Sequence, residues 1–239
     1  MEKKTIIIAG KPFSYNDETE DITYDTLTPI SEEDATKLLA LTKSLFDQCG
    51  IRFCLAYGTL LGAVRDKSII KGDEDVDVYT DEEERLRNCL PFLFENGLKV
   101  CRIEENIYYS FRSDDKSFID VYIKKKLPTS IWSLWCDSIS GFAVPKWYVS
   151  KYDKIDFLGM ELLCPHKPER LLAYWYGKTW RIPISGHEYT YELPSRYWWQ
   201  TKGKIQYEAF VSNLKYTIRH PLLILSKLIK KIYRYIITK

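Results

Sequence analysis

The chain has 239 residues, 45% of them hydrophobic and 28% charged, the profile of a folded protein with room for one sizeable domain or a domain with an appendage. Its net charge of +2 gives no bulk attraction to nucleic acid, and no run of about 18 apolar residues is present to span a membrane. Cysteines at 49, 54, 89, 101, 136 and 164 lack Cys-x-x-Cys spacing and nearby paired histidines, which argues against a zinc site. The apolar run Thr5–Ala9 is too short for a secretory signal, so reduced, mostly buried thiols in a cytoplasmic protein are expected.

In chain order, Thr5–Ala9 predicts a short strand, followed by an acidic, irregular stretch to residue 30. Ser31-Glu32-Glu33-Asp34 has the form of a helix start. Ala35, Leu38, Leu39, Thr42, Leu45, Phe46 and Cys49 then recur at helical spacing until Gly50 closes the helix. Ile51–Ala56 predicts a strand, Gly58-Thr59 opens a short helix, Lys67–Gly72 a loop and Asp75–Tyr79 a strand. Thr80-Asp81-Glu82-Glu83 starts a helix toward Glu95, which Pro91 is expected to kink or split. Lys99–Ile103, Ile107–Arg112 and Phe118–Ile123 predict three strands. Gly141–Tyr148 and Lys154–Leu163 resemble paired strands, and Lys167–Tyr176 predicts a helix ended by Gly177. This order predicts an α/β (α+β) domain built on a mixed sheet flanked by helices.

The chemistry concentrates between residues 57 and 79. Successive side chains of a strand point to opposite faces, so Asp75 and Asp77 share one face while Val76 and Val78 face a core. Paired carboxylates repel and lose hydration when buried, and a divalent cation with a taste for hard oxygen relieves both costs, Mg²⁺ or Mn²⁺ above all. Gly58-Thr59 supplies a tight turn and a hydroxyl at a helix N-terminus, where backbone N–H groups favour a phosphate. Arg65, Lys67 and Lys71 stand between that turn and the acidic strand, placed to neutralise a leaving phosphate. Asp120, amid the strand-forming run Phe118–Ile123, is the third carboxylate singled out, either as a metal ligand or as a base. A solvated acidic edge and a solvated basic loop are the plain alternatives for these groups.

Gly-Thr-Leu-Leu-Gly-Ala-Val-Arg at 58–65, a short loop, and an acidic run ending Asp-Val-Asp-Val at 75–78 together resemble the LicD family of phosphotransferases. The helix through Tyr176, running into Gly177 and Trp180, resembles a downstream element of that family. The resemblance implies a nucleotidyltransferase-like fold in which Gly58, Thr59, Asp75, Asp77 and Asp120 take the catalytic and metal-binding roles. It implies a Mg²⁺- or Mn²⁺-dependent enzyme that moves a phospho-alcohol from a CDP-activated donor to a hydroxyl of a cell-surface glycan. Phosphocholine leads on this reading, with glycerol or ribitol phosphate behind it. The sequence departs from the family pattern at Lys71-Gly72-Asp73-Glu74, where an aromatic before three aspartates is usual. Two alternatives stay open: a nucleotidyltransferase that places a nucleoside monophosphate on its acceptor, and a non-catalytic glycan- or membrane-binding module.

Residues 1–205 are expected to form the catalytic domain and 206–239 a helical tail. In the tail, Lys227, Lys230, Lys231 and Arg234 gather on one side of a helix at about 100° per residue, with Leu225, Leu228, Ile229, Ile232, Tyr233 and Ile236 opposite. Such a helix fits either an anionic membrane surface, placing the enzyme at the inner face of the cell membrane near lipid-linked glycans, or the protein's own core. His166 and His187 have no metal spacing and are expected to be structural or superficial. The Trp- and Tyr-rich segment Tyr174–Trp199 fits core packing, or a sugar-stacking or cation-binding surface.

Overall fold

The computed structural model describes residues 2–19, 28–113, 117–126, 136–140, 142–177 and 179–183. The expected C-terminal helix, the boundary at 205/206 and His187 lie outside the described residues.

An N-terminal hairpin pairs β1 (Glu2–Ile8) with β2 (Lys11–Asp17), where the sequence reading foresaw one strand and then irregular chain. The connection is the two-residue turn Ala9-Gly10, both with positive φ (48° and 78°), a backbone whose twist matches that of the flanking strands. Helix α1 (Glu32–Cys49) begins as expected: Ser31 Oγ accepts from the Asp34 N–H, and Gly50 ends the helix in the left-handed region at φ 65°. The chain then passes through β3 (Cys54–Leu55), α2 (Tyr57–Arg65), β4 (Asp75–Thr80) and α3 (Glu83–Glu95). It continues through β5 (Lys99–Glu104), β6 (Tyr108–Arg112) and β7 (Phe118–Lys126). Then come β8 (Cys136–Ile139), β9 (Phe142–Pro145), the single turn α4 (Lys146–Val149), the hairpin β10 (Tyr152–Phe157)–β11 (Met160–Pro165), and α5 (Pro168–Tyr176).

The main sheet runs β3-β4-β7-β6-β5, with β8 added to β7 and β9 to β8. Strands β4 and β7 are parallel and the other pairs antiparallel, which makes the sheet mixed, as the alternation of elements predicted. Three details differ from the sequence reading. The strand expected over Ile51–Ala56 shrinks to Cys54–Leu55. The described part of the expected Gly141–Tyr148 strand, from Phe142, is half strand and half helical turn, and its strand pairs with β8 and not with Lys154–Leu163, which form their own hairpin. Helix α3 runs through Pro91 without a break, because buried Leu86, Leu90 and Leu93 anchor it on both sides of the proline.

One face of the sheet is apolar. Val76, Val78, Ile119, Val121 and Phe111 pack there with Leu38, Leu39 and Phe46 of α1 and Leu86, Leu90 and Leu93 of α3, all essentially solvent-free. Each such side chain contributes about 1.5–3 kcal/mol on burial. All six cysteines are free, four of them buried, and among the described residues no helix is long and apolar enough to cross a membrane.

Gly62 controls how the 66–70 loop returns over α2. A Cβ there would meet the Ser68 carbonyl oxygen at 2.5 Å and Ile70 at 3.3 Å, and backbone yields less readily than a side-chain tip. Gly62→Ala is therefore expected to destabilise the fold by about 1–3 kcal/mol through overpacking. Urea denaturation followed by circular dichroism measures this, and an unchanged midpoint would contradict the close approach.

Candidate active site

The opposite face of the sheet is polar. Asp75 and Asp77 share it, as strand alternation predicted, while Val76 and Val78 are buried in the core behind them. The parallel register of β4 and β7 sets Asp77 directly beside Asp120. Both are nearly closed off from solvent, each 7% exposed.

Asp77 is held at three points by the segment that turns from β3 into α2. The Ala56 N–H donates to the Asp77 carbonyl at 3.0 Å. The Gly58 N–H donates to Asp77 Oδ2 at 2.9 Å, and the Asp77 N–H donates to Thr59 Oγ1 at 2.7 Å. Threonine at 59 thus fastens the helix to the strand. Thr59 as a residue is 1% exposed, and its hydroxyl oxygen faces the Asp77 backbone. The turn is sharp enough to put Tyr57 at φ 33°, an uncommon conformation for a bulky residue. Gly58 is required by space: a Cβ there would lie 2.8 Å from Asp73 Oδ2 and 3.2 Å from Asp77 Oδ2.

Asp73, which the sequence reading treated only as a departure from a motif, therefore joins the cluster from the loop before β4. Its signal was present, since 73, 75 and 77 continue the period-two spacing of one strand face.

Asp120 is surrounded differently. The Arg102 guanidinium contacts both of its oxygens through Nη2, at 3.1 and 3.3 Å, and Arg102 Nε reaches Ser110 Oγ at 3.0 Å. The Ser110 hydroxyl in turn donates to Asp120 Oδ1. Tyr122, two residues along β7 on the same face, favours the charged form of both Asp77 and Asp120. Aromatic rings wall the site: Tyr57 meets Tyr122 edge-on at 4.9 Å and lies 4.8 Å from Trp175 of α5. Tyr176, at the end of α5, sits within the electrostatic field of Asp73, Asp75 and Asp77. Sequence reasoning missed Arg102, Ser110 and Tyr122, because no local motif marks them, and it gave no role to Tyr57, the first residue of the motif.

Burial dominates the electrostatics. It pushes the Asp77 carboxyl up to about 8, with Asp73 and Asp120 adding repulsion and the Gly58 N–H and Tyr122 opposing it. Asp75 rises well above the carboxylate range for the same reason, with Asp77, Asp120 and Asp73 as its repelling neighbours. Burial also raises Asp120, while Arg102 and the Ser110 hydroxyl pull it back.

The remaining predicted residues lie at the margin. Arg65 is bound through two nitrogens to Asp66 at 2.8 and 2.7 Å, while Lys67 and Lys71 are exposed on the loop between α2 and β4. His166 bonds Asp153 at 3.1 Å and Lys167 N–H bonds the same carboxylate at 3.0 Å, a join between the β10–β11 hairpin and α5. That is a structural role, as expected.

The oxygen donors of Asp75 and Asp77 suit a hard divalent cation, which would also relieve their mutual repulsion. Asp120 does not suit the same shell without giving up Arg102 and Ser110. Among the described residues no three His, Cys, Asp or Glu side chains converge closely enough to hold a metal.

A mixed sheet flanked by helices, with a helix turn fastened over a row of aspartates, is the architecture of a nucleotidyltransferase-like domain. Residues 50–167 match the family described as LicD/FKTN/FKRP, nucleotidyltransferase domain, and this segment is a LicD-family domain. Among curated proteins it is similar to ribitol-5-phosphate transferase FKTN of Homo sapiens, with 24% identity over 169 residues, 67% of this chain and 36% of that protein. FKTN of Mus musculus is 23% identical over 184 residues, 74% of this chain and 39% of that protein. The chain thus spans well under half the length of these relatives. Two solved structures are also similar. Antibiotic-resistance factor ANT(2'')-Ia has 14% identity and a TM-score of 0.46, covering 80% of this chain and 98% of that one. Lincosamide antibiotic adenylyltransferase LnuA has 13% identity and a TM-score of 0.42, covering 61% and 85%.

The raised carboxyl at Asp77 has a consequence for stability without metal. In the unfolded chain this group titrates near its ordinary 3.8, and in the fold near 8. Between those values the folded state holds an extra proton, so stability falls as pH rises from about 4 to about 8. In chelator-treated protein, the Tm of the wild type is expected to fall across this range more steeply than that of Asp77→Asn, whose amide oxygen still accepts from Gly58. Parallel Tm-against-pH curves would show that the carboxylate is not strained as described.

Proposed function

We propose that this domain is a Mg²⁺- or Mn²⁺-dependent transferase that moves a phospho-alcohol from a CDP-activated donor to a hydroxyl of a glycan. The observation that carries this reading is the placement of Asp77 beside Asp120, under the helix turn that fastens Asp77 in place. Membership in the LicD family supports the reaction class. Similarity to ribitol-5-phosphate transferase FKTN moves ribitol phosphate ahead of phosphocholine and glycerol phosphate as the transferred group.

In this scheme Asp75 and Asp77 hold the cation, which when bound supplies charge stabilisation to the donor diphosphate. Asp120 Oδ2, the oxygen not engaged by Ser110, takes the proton of the acceptor hydroxyl as that oxygen attacks the distal phosphorus. The bond from that phosphorus to the bridging oxygen breaks, and CMP leaves. Arg65, at the end of α2, exchanges Asp66 for a phosphate oxygen of the donor. Tyr57, Tyr122 and Trp175 keep water from the reacting centre.

The test is transfer from CDP-ribitol, CDP-choline and CDP-glycerol to a glycan acceptor with Mg²⁺, read by mass spectrometry of the product. One donor is expected to add its alcohol phosphate to the acceptor, with Asp75→Asn and Asp77→Asn slower by about 100-fold or more. A product carrying a nucleoside monophosphate would instead establish the nucleotidyltransferase alternative.

A further inference from the structure

A lateral row crosses four adjacent strands on the polar face. Arg102 of β5 stands opposite Ser110 of β6, Ser110 opposite Asp120 of β7, and Asp120 opposite Asp77 of β4. Arg102 reaches this row only because β5 is irregular. The register with β6 slips between Val100 and Arg102, leaving Cys101 as an extra residue. By simple alternation Arg102 would share the core face with Val100. The bulge turns it onto the site, which is the recognised use of a β-bulge beside a reacting centre.

Once there, the guanidinium is fixed on every side. It lies over the Phe118 ring at 5.1 Å and the Tyr108 ring at 5.5 Å. It bonds Ser110 through Nε and both Asp120 oxygens through Nη2, and its side chain is only 14% exposed. An arginine carries a permanent charge that no accessible pH removes. Arg102 thus sets a fixed cation at the Asp120 end of this row of carboxylates. Asp75 and Asp77 feel the repulsion of the neighbouring carboxylates, and the Asp77 carboxylate is met by the neutral Gly58 N–H.

Resting on the functional reading above, we infer that Arg102 is a positioning residue that replaces a second divalent cation. The site takes one cation, at Asp75 and Asp77, and Arg102 reserves Asp120 as an acceptor for the substrate hydroxyl proton. A second divalent ion at Asp120 would have to displace Nη2 from both oxygens and lie against a buried positive charge.

The experiment is Mn²⁺ binding to the full chain followed by electron paramagnetic resonance, with no substrate turnover involved. Wild type is expected to bind one Mn²⁺ per chain with the spectrum of an isolated ion. Asp120→Asn keeps that stoichiometry with affinity changed by less than about threefold, whereas Asp75→Asn loses more than about tenfold. Arg102→Met, with its countercharge gone, takes up a second Mn²⁺ and shows the signal of a coupled pair. If Arg102→Met does not fold, the Asp120→Asn comparison decides alone. Two Mn²⁺ in the wild type, or a tenfold loss in Asp120→Asn, would overturn the inference and leave the functional reading intact. No Mn²⁺ binding by the wild type would remove both.

Discussion

The structure depends on how Asp77 is held. Its N–H, its carbonyl and its carboxylate are each engaged by the four-residue stretch Ala56–Thr59. Through these three bonds the start of α2 and the middle of β4 become one rigid unit. The same bonds fix the carboxylate that repulsion would otherwise push aside. A helix N-terminus aimed at a carboxylate is favourable electrostatically, and here it is also the mechanical joint of the site. Gly58 is what permits the approach, since any side chain would intrude between Asp73 and Asp77.

A division of labour between the two faces of one sheet follows. Val76 and Val78 anchor β4 in the apolar layer under α1 and α3, so the strand cannot move to separate its acids. The acids are thereby held together at a cost in solvation, which the fold offsets unevenly. Asp120 is matched by a buried guanidinium and a serine hydroxyl. Asp77 has a neutral donor to its carboxylate in the Gly58 N–H, and Tyr122 also favours its charged form. Asp75 is left with carboxylates as its principal neighbours. The imbalance gives the site a direction, with a built-in guanidinium at Asp120 and the least compensated carboxylate at Asp75.

What could be read in advance from the sequence was local. Alternation along 75–78 assigned the faces of β4, and the Ser31 and Gly50 caps bounded α1. The Gly-Thr pair located the turn over the acids, although the threonine hydroxyl oxygen faces the backbone of Asp77. What escaped reading depended on partners distant in sequence. Strand β2 is mostly exposed and β8 has only four residues, and both are held by the neighbour that pairs with them. Pro91 was expected to kink or split a helix that tertiary packing keeps unsplit. Arg102 was invisible because a bulge reverses its face, and a bulge is set by pairing with β6 and not by the residues of β5 alone. Asp73 was legible in hindsight from its spacing, but it lies before the strand, where alternation was not applied.

The central claim is that the buried carboxylates at the start of α2 form a cation-assisted phosphate site. The most direct measurement is anomalous diffraction at the manganese edge from crystals grown with Mn²⁺ and CMP. The account predicts a peak between the Asp75 and Asp77 carboxylates, with the nucleotide phosphate beside it and Arg102 still on Asp120. A peak at another set of side chains, or nucleotide phosphate bound away from these aspartates, would contradict it.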